Sequence, residues 1–209
     1  MTQQNSHQEK TLVLASNNVG KLREFQAMFA AQGIEVIPQG RLGVIECEEP
    51  FCTFVENCLA KARNASAQTG RPAMADDSGV CVDALGGLPG VHSARFAGEP
   101  KSDERNNRLL VEKLRGETNR KAHYTCVLAA VRHAEDPEPL IAYGFWEGEI
   151  QDEPEGEGGF GYDPYFYVPS CGKTAAALSA EEKNRLSHRG AALRAMASLL
   201  ETRWGWTKA

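Results

Sequence analysis

Two kinds of hydrophobic pattern follow one another along the chain, and their order limits the folds that it can adopt. The runs Thr11 to Ala15 and Ile34 to Pro38 are typical of strands, and apolar residues at helical spacing fill the segment between them. Further on, Lys121 to His133 and Leu140 to Ile150 flank a turn at Glu135-Asp136-Pro137, which predicts a long antiparallel hairpin. Alternating strands and helices with one long hairpin predict an α/β fold built on a mixed sheet.

Capping residues mark where two further helices begin. Thr53 with Glu56 and Ser179 with Glu182 have the spacing of a capping box, in which a hydroxyl and a carboxylate satisfy the first backbone N–H groups of a helix. We expect the helix after Thr53 to end near Gly70.

Glycines indicate the irregular parts of the chain. Gly86 to Gly98 holds four glycines and one proline and predicts a long surface loop. Gly190 interrupts a helical pattern, so we expect another part of the chain to approach the backbone there. The long hairpin is expected to form a second lobe.

Composition describes a globular chain of 209 residues, 42% hydrophobic and 24% charged. The net charge of −5 argues against non-specific nucleic-acid binding, and no apolar segment is long enough to cross a membrane. We expect a cytoplasmic protein with a disordered tail at 1–10 and a single two-lobed domain at 11–209. The six cysteines lack zinc-site spacing and are expected to be reduced thiols.

Adjacent carboxylates indicate where chemistry takes place. Asp76 and Asp77 follow the apolar step Ala73-Met74-Ala75, so we expect them at the end of a short buried strand. Two neighbouring carboxylates are costly to desolvate, and a cation or a proton usually compensates them. A turn without functional meaning is the alternative, since Asp-Ser-Gly favours turns. Glu48 and Glu49 form a second acidic pair, which alone would indicate a solvated loop.

The turn between the first strand and the first helix is a candidate phosphate site. Backbone N–H groups and the helix dipole favour an anion at such a position, and a lysine adds a full charge. The alternative is an ordinary helix cap by Asn17 or Asn18 with a solvated lysine. The residues of the turn are Ser16, Asn17, Asn18, Val19, Gly20 and Lys21.

Three further groups could bind a ligand. Asn57 and Lys61 share a helix face, where both could reach phosphate, or they lie on an exposed surface. The segment Phe160-Gly161-Tyr162-Asp163 offers an aromatic face and a carboxylate, which suits a flat heterocycle as well as it suits a core aromatic and a turn. His188 and Arg189 place two donors beside Gly190, although lone histidines are usually not catalytic.

These residues lie in five segments that together resemble the Ham1 (RdgB) family of inosine triphosphate pyrophosphatases. The resemblance covers Thr11 to about Leu200, and Cys58 stands where the family usually has Ala. The segments read LASNNVGKLREF, TFVENCLAKA, ADDSGVCVDALGGLPGVHSARFAG, GGFGYDPYFYVP and LSAEEKNRLSHRGAAL.

The resemblance implies a function and a set of roles. It implies hydrolysis of dITP, ITP and XTP to the monophosphate and pyrophosphate by an elongated mixed sheet with a central cleft, in a homodimer. Ser16 to Lys21 would hold the triphosphate, and Glu49 and Asp77 would bind Mg²⁺. Asp77 would also accept a proton from water, with Asp76 beside it and Lys21 neutralising charge, and the sequence leaves open how the two aspartates divide these roles. The remaining substrate contacts would be Ser78, Phe160, Gly161, Tyr162, Asp163, Lys183, His188 and Arg189.

Donor chemistry agrees with this choice of base. Arg189 has only hydrogen-bond donors, so it matches the 6-keto oxygen of hypoxanthine or xanthine and opposes the 6-amino group of adenine. Two alternatives are a pyrophosphatase for other modified nucleotides and a nucleotide sensor that does not hydrolyse its ligand.

Overall fold

The computed structural model describes residues 10–30 and 32–207. Apart from Lys10, the expected N-terminal tail lies outside the described residues. The strands are β1 Thr11–Leu14, β2 Glu35–Pro38, β3 Ala73–Val82, β4 Lys121–Val131, β5 Leu140–Ile150, β6 Phe166–Val168 and β7 Lys173–Thr174. The α-helices are α1 Val19–Ala30, α2 Phe54–Thr69, α3 Asp103–Lys113, α4 Ala180–Leu186 and α5 His188–Trp204. No helix in the described ranges is long and apolar enough to cross a membrane.

The seven strands form one mixed sheet in the order β2-β1-β3-β4-β5-β6-β7. β1 is parallel to β2 and β3, whereas every pair from β3 to β7 is antiparallel. This confirms the predicted α/β class and the predicted hairpin, which joins β4 and β5.

Helices cover both faces of the sheet. On one face, Phe25 and Phe29 of α1 and Met196 of α5 belong to one buried apolar cluster. On the other face, Cys58 and Ala62 of α2 pack against β3 and β4. A third cluster lies toward the β6 end of the sheet and includes aromatic residues of β4, β5 and β6. The hairpin contributes residues to all three clusters, and the expectation that it forms a second lobe stays a prediction.

Helix boundaries agree with the capping predictions. The Thr53 hydroxyl accepts from the backbone N–H of Glu56, and Gly70 ends α2 in a left-handed conformation. Ser179 and Glu182 form the predicted capping box of α4. All six cysteines are free thiols.

Two sequence expectations are wrong. Asp76 and Asp77 do not end a short strand, because β3 continues for ten residues through Val82 and pairs with β4 along its whole length. The segment from Gly86 to Gly98 is not a plain surface loop, since Gly90–Arg95 forms a 3₁₀-helix whose Ser93 hydroxyl accepts from the backbone N–H of Val80.

Glycines allow α5 to lie close to its neighbours. A Cβ on Gly144 of β5 would lie 1.9 Å from the carbonyl oxygen of His188 at the start of α5. A Cβ on Gly190 would lie 1.9 Å from the carbonyl oxygen of Asn184 in α4, which confirms the expected close approach.

Candidate active site

The two aspartates face opposite sides of the sheet, because successive residues of a strand alternate. Asp76 pairs with Leu128, whose side chain belongs to the apolar cluster on the face covered by α1 and α5. Asp77 pairs with Val127, whose side chain belongs to the apolar cluster on the face covered by α2. The adjacent carboxylates therefore belong to two separate networks.

Asp76 is the centre of a buried ion-pair network. Its carboxylate forms an ion pair with Lys21 and accepts from Arg189 Nε at 3.3 Å and from the Ser78 hydroxyl at 2.7 Å. Burial disfavours the charge, but the Lys21 and Arg189 cations outweigh burial and lower the pKa of Asp76 well below its usual range. Asp76 is thus a permanent anion whose oxygens are already occupied.

Asp77 has a different environment. Its Oδ1 accepts from Lys61 Nζ at 3.0 Å, whereas its Oδ2 is buried without a hydrogen-bond partner among the described residues. Burial raises the pKa of Asp77 to about 6, although the charge of Lys61 acts in the opposite direction. A carboxylate with a pKa near neutrality and a free oxygen has the properties of a general base.

Lys61 joins Asp77 to the loop that carries Glu46, Glu48 and Glu49, which we call the acidic loop. Its ammonium group donates to Glu49 Oε2 at 2.9 Å and to the backbone carbonyl of Asp76 at 2.9 Å. Burial disfavours the ionised Glu49, but the charge and hydrogen bond of Lys61 prevail and lower its pKa. Glu48 is exposed, so Glu49 is the member of the second acidic pair that reaches the site.

The loop that carries Glu49 is held by α2. The Asn57 side chain accepts from the Phe51 backbone N–H at 3.0 Å and donates to its carbonyl at 3.1 Å. Asn64 and Gln68 both donate to the carbonyl of Ile45. The amide of Asn57 is therefore committed to the loop backbone, which argues against the phosphate contact expected of it.

The predicted phosphate turn lines a pocket of about 220 Å³ between β1, α1 and the acidic loop. Asn18 caps α1, since its side-chain oxygen accepts from the backbone N–H of Lys21 at 3.0 Å. The Ser16 hydroxyl accepts from Asn18 N–H at 3.2 Å, and Val19 is exposed on the first turn beside Gly20. The alternative reading of this turn required a solvated lysine. Lys21 instead pairs with Asp76.

Sequence reasoning missed a polar network at the edge of this pocket. Glu46 Oε1 accepts from Asn17 Nδ2 at 2.9 Å and from Gln39 Nε2 at 3.1 Å, and Asn17 Oδ1 accepts from the backbone N–H of Gly40 at 3.0 Å. These bonds connect the phosphate turn to the acidic loop. No local signal marks them, because Glu46 lies 29 residues from Asn17.

An exposed aromatic ring stands near a second group of predicted residues. Phe160 is 51% exposed, with Lys183 Nζ 4.9 Å and the Arg189 guanidinium 5.8 Å from its ring centroid. Asp163 is buried and accepts from Lys183 at 2.5 Å and from the Phe160 backbone N–H at 2.8 Å. This arrangement leaves one face of a flat ring open beside two cations.

Two neighbours of Phe160 have structural contacts. The hydroxyl of buried Tyr162 donates to the carbonyl of Ser93 at 2.8 Å. Gly161 N–H donates to Asp103 at 2.8 Å, which ties the turn to α3. A direct substrate contact of the Tyr162 side chain, as expected from the sequence, is therefore disfavoured by its burial.

His188 is also buried, and its ring stacks on Tyr124 with centroids 4.6 Å apart and planes inclined by 6°. Burial, followed by the nearby charge of Arg189, lowers the pKa of His188 well below its usual range. Its Nδ1 has no hydrogen-bond partner among the described residues. His188 is thus a neutral residue that stacks on Tyr124.

Arg189 connects the two halves of the site. It donates to Asp76 and, through Nη1, to Glu24 at 3.0 Å, while its guanidinium lies near Phe160. The network around Asp76 and the exposed aromatic ring therefore share one side chain.

The residues present are compatible with Mg²⁺. Glu49 and Asp77 lie on either side of Lys61, and Asp77 Oδ2 is a buried acceptor without a donor among the described residues. Within the described ranges, no three His, Cys, Asp or Glu side chains converge on one point. Mg²⁺ commonly takes one or two protein carboxylates and completes its shell with water and substrate phosphates, so two carboxylates suit it.

Comparisons with known proteins agree with this architecture. The model of the Ham1 family matches residues 12–199. A protein of Chromobacterium violaceum named dITP/XTP pyrophosphatase is 65% identical over 190 residues, which cover 91% of this chain and 96% of that protein. A protein of Nitrosomonas europaea with the same name is 61% identical, over 90% of this chain and 93% of its own.

Solved structures of the family have the same fold. A HAM1 protein from Coxiella burnetii superimposes with a TM-score of 0.88 at 47% identity, over 91% of this chain and 98% of that one. The Ham1 protein of Staphylococcus aureus superimposes with a TM-score of 0.85 at 42% identity, over 92% of this chain and 98% of that one. Sequence and structure together show that this chain belongs to the Ham1 family.

Proposed function

We propose that the protein hydrolyses dITP, ITP and XTP to the nucleoside monophosphate and pyrophosphate. The names of its relatives support this substrate class. The observation that carries the proposal is Asp77, a buried carboxylate with a raised pKa and an oxygen without a partner among the described residues. It lies beside the pocket of about 220 Å³ that Ser16, Asn18 and Lys21 line, which we call the phosphate pocket.

The two aspartates would have different roles in the reaction. Asp77 would accept the proton of the attacking water, because it is the one with a free oxygen and a pKa near neutrality. Asp76 would position Lys21 and Arg189, since its pKa is lowered and its oxygens already hold these cations. Lys21 would offset the negative charge that builds on the phosphate oxygens during attack.

Mg²⁺ would be held by Glu49 and Asp77, and when bound it neutralises and orients phosphate oxygens. Lys61 lies between these two carboxylates and forms an ion pair with each of them. Ser16, Asn18 and the first turn of α1 would receive the phosphate chain, since this helix end offers backbone donors and the positive end of its dipole.

The base would stack on Phe160. Lys183 and Arg189 lie close to that ring and carry only donors, so they would favour the 6-keto oxygen of hypoxanthine and xanthine and oppose the amino group of adenine. Asp163 would orient Lys183, with which it pairs, and Tyr124 would orient His188, on which it stacks.

The test is product identification across a nucleotide panel. With Mg²⁺, we expect pyrophosphate and monophosphate from dITP, ITP and XTP, and at least about 100-fold lower kcat/KM on ATP. Removal of Mg²⁺ with a chelator should abolish turnover. Release of orthophosphate, preference for modified pyrimidines, or tight ITP binding without product would each contradict the proposal.

We also propose a homodimer formed through the outer face of β5. Tyr143 and Phe145 are 47% and 54% exposed, and their rings stack at 6.1 Å. His123 of β4 lies beside Phe145, with centroids 6.3 Å apart. Exposed aromatic residues that lie together on a flat sheet are typical of an interface.

A further inference from the structure

A second concavity lies at the other end of β1 from the phosphate pocket. It has a volume of about 760 Å³, and we call it the tryptophan pocket. Thr11 lines it, whereas Ser16, just beyond the same strand, lines the phosphate pocket. Five residues of extended chain span roughly 17 Å, so the two pockets are separate. The side chains that characterise it are Lys10, Arg71, Arg132, Arg203, Trp204 and Trp206.

The lining of the tryptophan pocket is positively charged although the chain as a whole has a net charge of −5. Among the described residues that line it, none is Asp or Glu. Arg132 is paired with Asp136 and Glu138, but Lys10, Arg71 and Arg203 form no ion pair with any residue that the structure describes. Like charges around one concavity repel each other, and an anion bound among them would relieve that repulsion.

The same pocket offers aromatic surface. The indole rings of Trp204 and Trp206 meet edge to face, with centroids 5.2 Å apart and planes inclined by 73°. Both side chains are only partly buried. The Trp204 indole N–H lacks an acceptor in the described part of the chain. Indole faces bind flat rings by stacking, and arginine forks match phosphate oxygens.

We propose that the tryptophan pocket binds a nucleoside 5′-monophosphate, with Arg71 and Arg203 on the phosphate and an indole face on the base. Phosphate and a planar ring are the two chemistries that its lining combines. The site is distinct from the active site and does not depend on the activity proposed there.

Fluorescence titration of the full chain with AMP tests the proposal. Trp204 and Trp206 line the pocket, so saturable quenching of indole emission is expected. In the double variant R71Q/R203Q, affinity should fall at least about tenfold, because charge-assisted hydrogen bonds to phosphate are lost. Both arginines are exposed, so the variant should fold, and its catalytic turnover should be unchanged.

Two comparisons make the result specific. The matched double variant R108Q/R115Q removes two exposed arginines elsewhere and should bind AMP like the wild type. Ribose 5-phosphate and adenosine, which lack the base and the phosphate respectively, should each bind several-fold more weakly than AMP. Equal AMP affinity in R71Q/R203Q, equal binding of adenosine, or no saturable quenching would overturn the proposal.

Discussion

At the scale of single residues, the site depends on the alternation of a strand. Asp76 and Asp77 are neighbours in sequence, but the pleat directs them to opposite faces, where they meet different cations. Two cations lower the pKa of Asp76, whereas burial dominates at Asp77 and raises it. Two neighbouring carboxylates that would repel on one surface thus become one fixed anion and one carboxylate with a pKa near neutrality.

Asp77→Asn should preserve the fold and remove most of the activity. The amide can still accept from Lys61, but it cannot take a proton from water, so we expect kcat to fall about 10²- to 10⁴-fold. Pyrophosphate release from dITP measures the loss, and thermal unfolding checks the fold. The control is Glu48→Gln, an exposed carboxylate that should retain full activity. Near wild-type turnover in Asp77→Asn would remove Asp77 from the role of base.

At the scale of elements, the position of α5 relative to β5 determines where His188 and Arg189 lie in the site. α5 begins with His188 and Arg189, and its first turn rests on the backbone of Gly144. No other residue type fits there, because the atoms nearest to an added Cβ are backbone atoms of His188 and Ala192. Local shape at a glycine thereby controls two side chains that are distant in sequence.

Gly144→Ala should displace the start of α5. The added methyl would lie 1.9 Å from the His188 carbonyl oxygen, so the helix must move, at a cost of about 1–3 kcal/mol in the free energy of unfolding. Activity should fall as well, since Arg189 moves with the helix. Denaturant unfolding and dITP turnover measure the two effects. Ala195→Ser adds one atom at an exposed position of α5 and should change neither. An unaltered stability of Gly144→Ala would contradict the close contact.

The turn of the β4–β5 hairpin is held by one buried carboxylate. Asp136 accepts from the backbone N–H and the guanidinium of Arg132 and from the backbone N–H of Glu138, at 2.9 to 3.1 Å. These hydrogen bonds, mainly those of the Arg132 side chain, lower the pKa of Asp136 far below its usual range. The turn of this hairpin, whose two strands lie in the interior of the sheet, therefore depends on an ionised side chain.

Asp136→Asn should lower the free energy of unfolding by about 1.5–3 kcal/mol near neutral pH. Because the folded pKa is depressed, the ionised carboxylate stabilises the fold above the unfolded pKa near 4, and this contribution is lost as pH falls below it. The deficit of the variant should therefore shrink between pH 4 and about 2. Thermal melts of wild type, Asp136→Asn and the exposed control Glu138→Gln measure it. A deficit independent of pH would contradict the charge-based explanation.

At the scale of the whole molecule, local signals and distant contacts differ in how far they can be predicted. The caps at Thr53 and Ser179 and the hairpin follow from nearby residues, and the structure confirms them. The pairing of Arg189 with Asp76 joins residues 113 positions apart, and no local pattern encodes it. For the same reason, the sequence could not show that β3 runs past Asp77, because its pairing with β4 decides its length.

The proposed dimer is a property of the whole molecule, and two surfaces compete for it. The hairpin exposes Tyr143 and Phe145, whereas the glycine-rich segment exposes Leu88, which is 47% accessible. Only the hairpin places its exposed rings together on one face, so apolar burial in a dimer would be larger there.

Phe145→Ser should therefore shift the protein from dimer to monomer, and Leu88→Ser should not. Sedimentation velocity over a concentration series measures the change, and we expect the dimer to weaken at least about tenfold with loss of a buried aromatic anchor. Both variants should keep the wild-type melting profile at high concentration, since each side chain is exposed in the subunit. If Leu88→Ser is monomeric while Phe145→Ser stays dimeric, the interface lies on the glycine-rich segment and not on the hairpin. A monomeric wild type would refute the dimer itself.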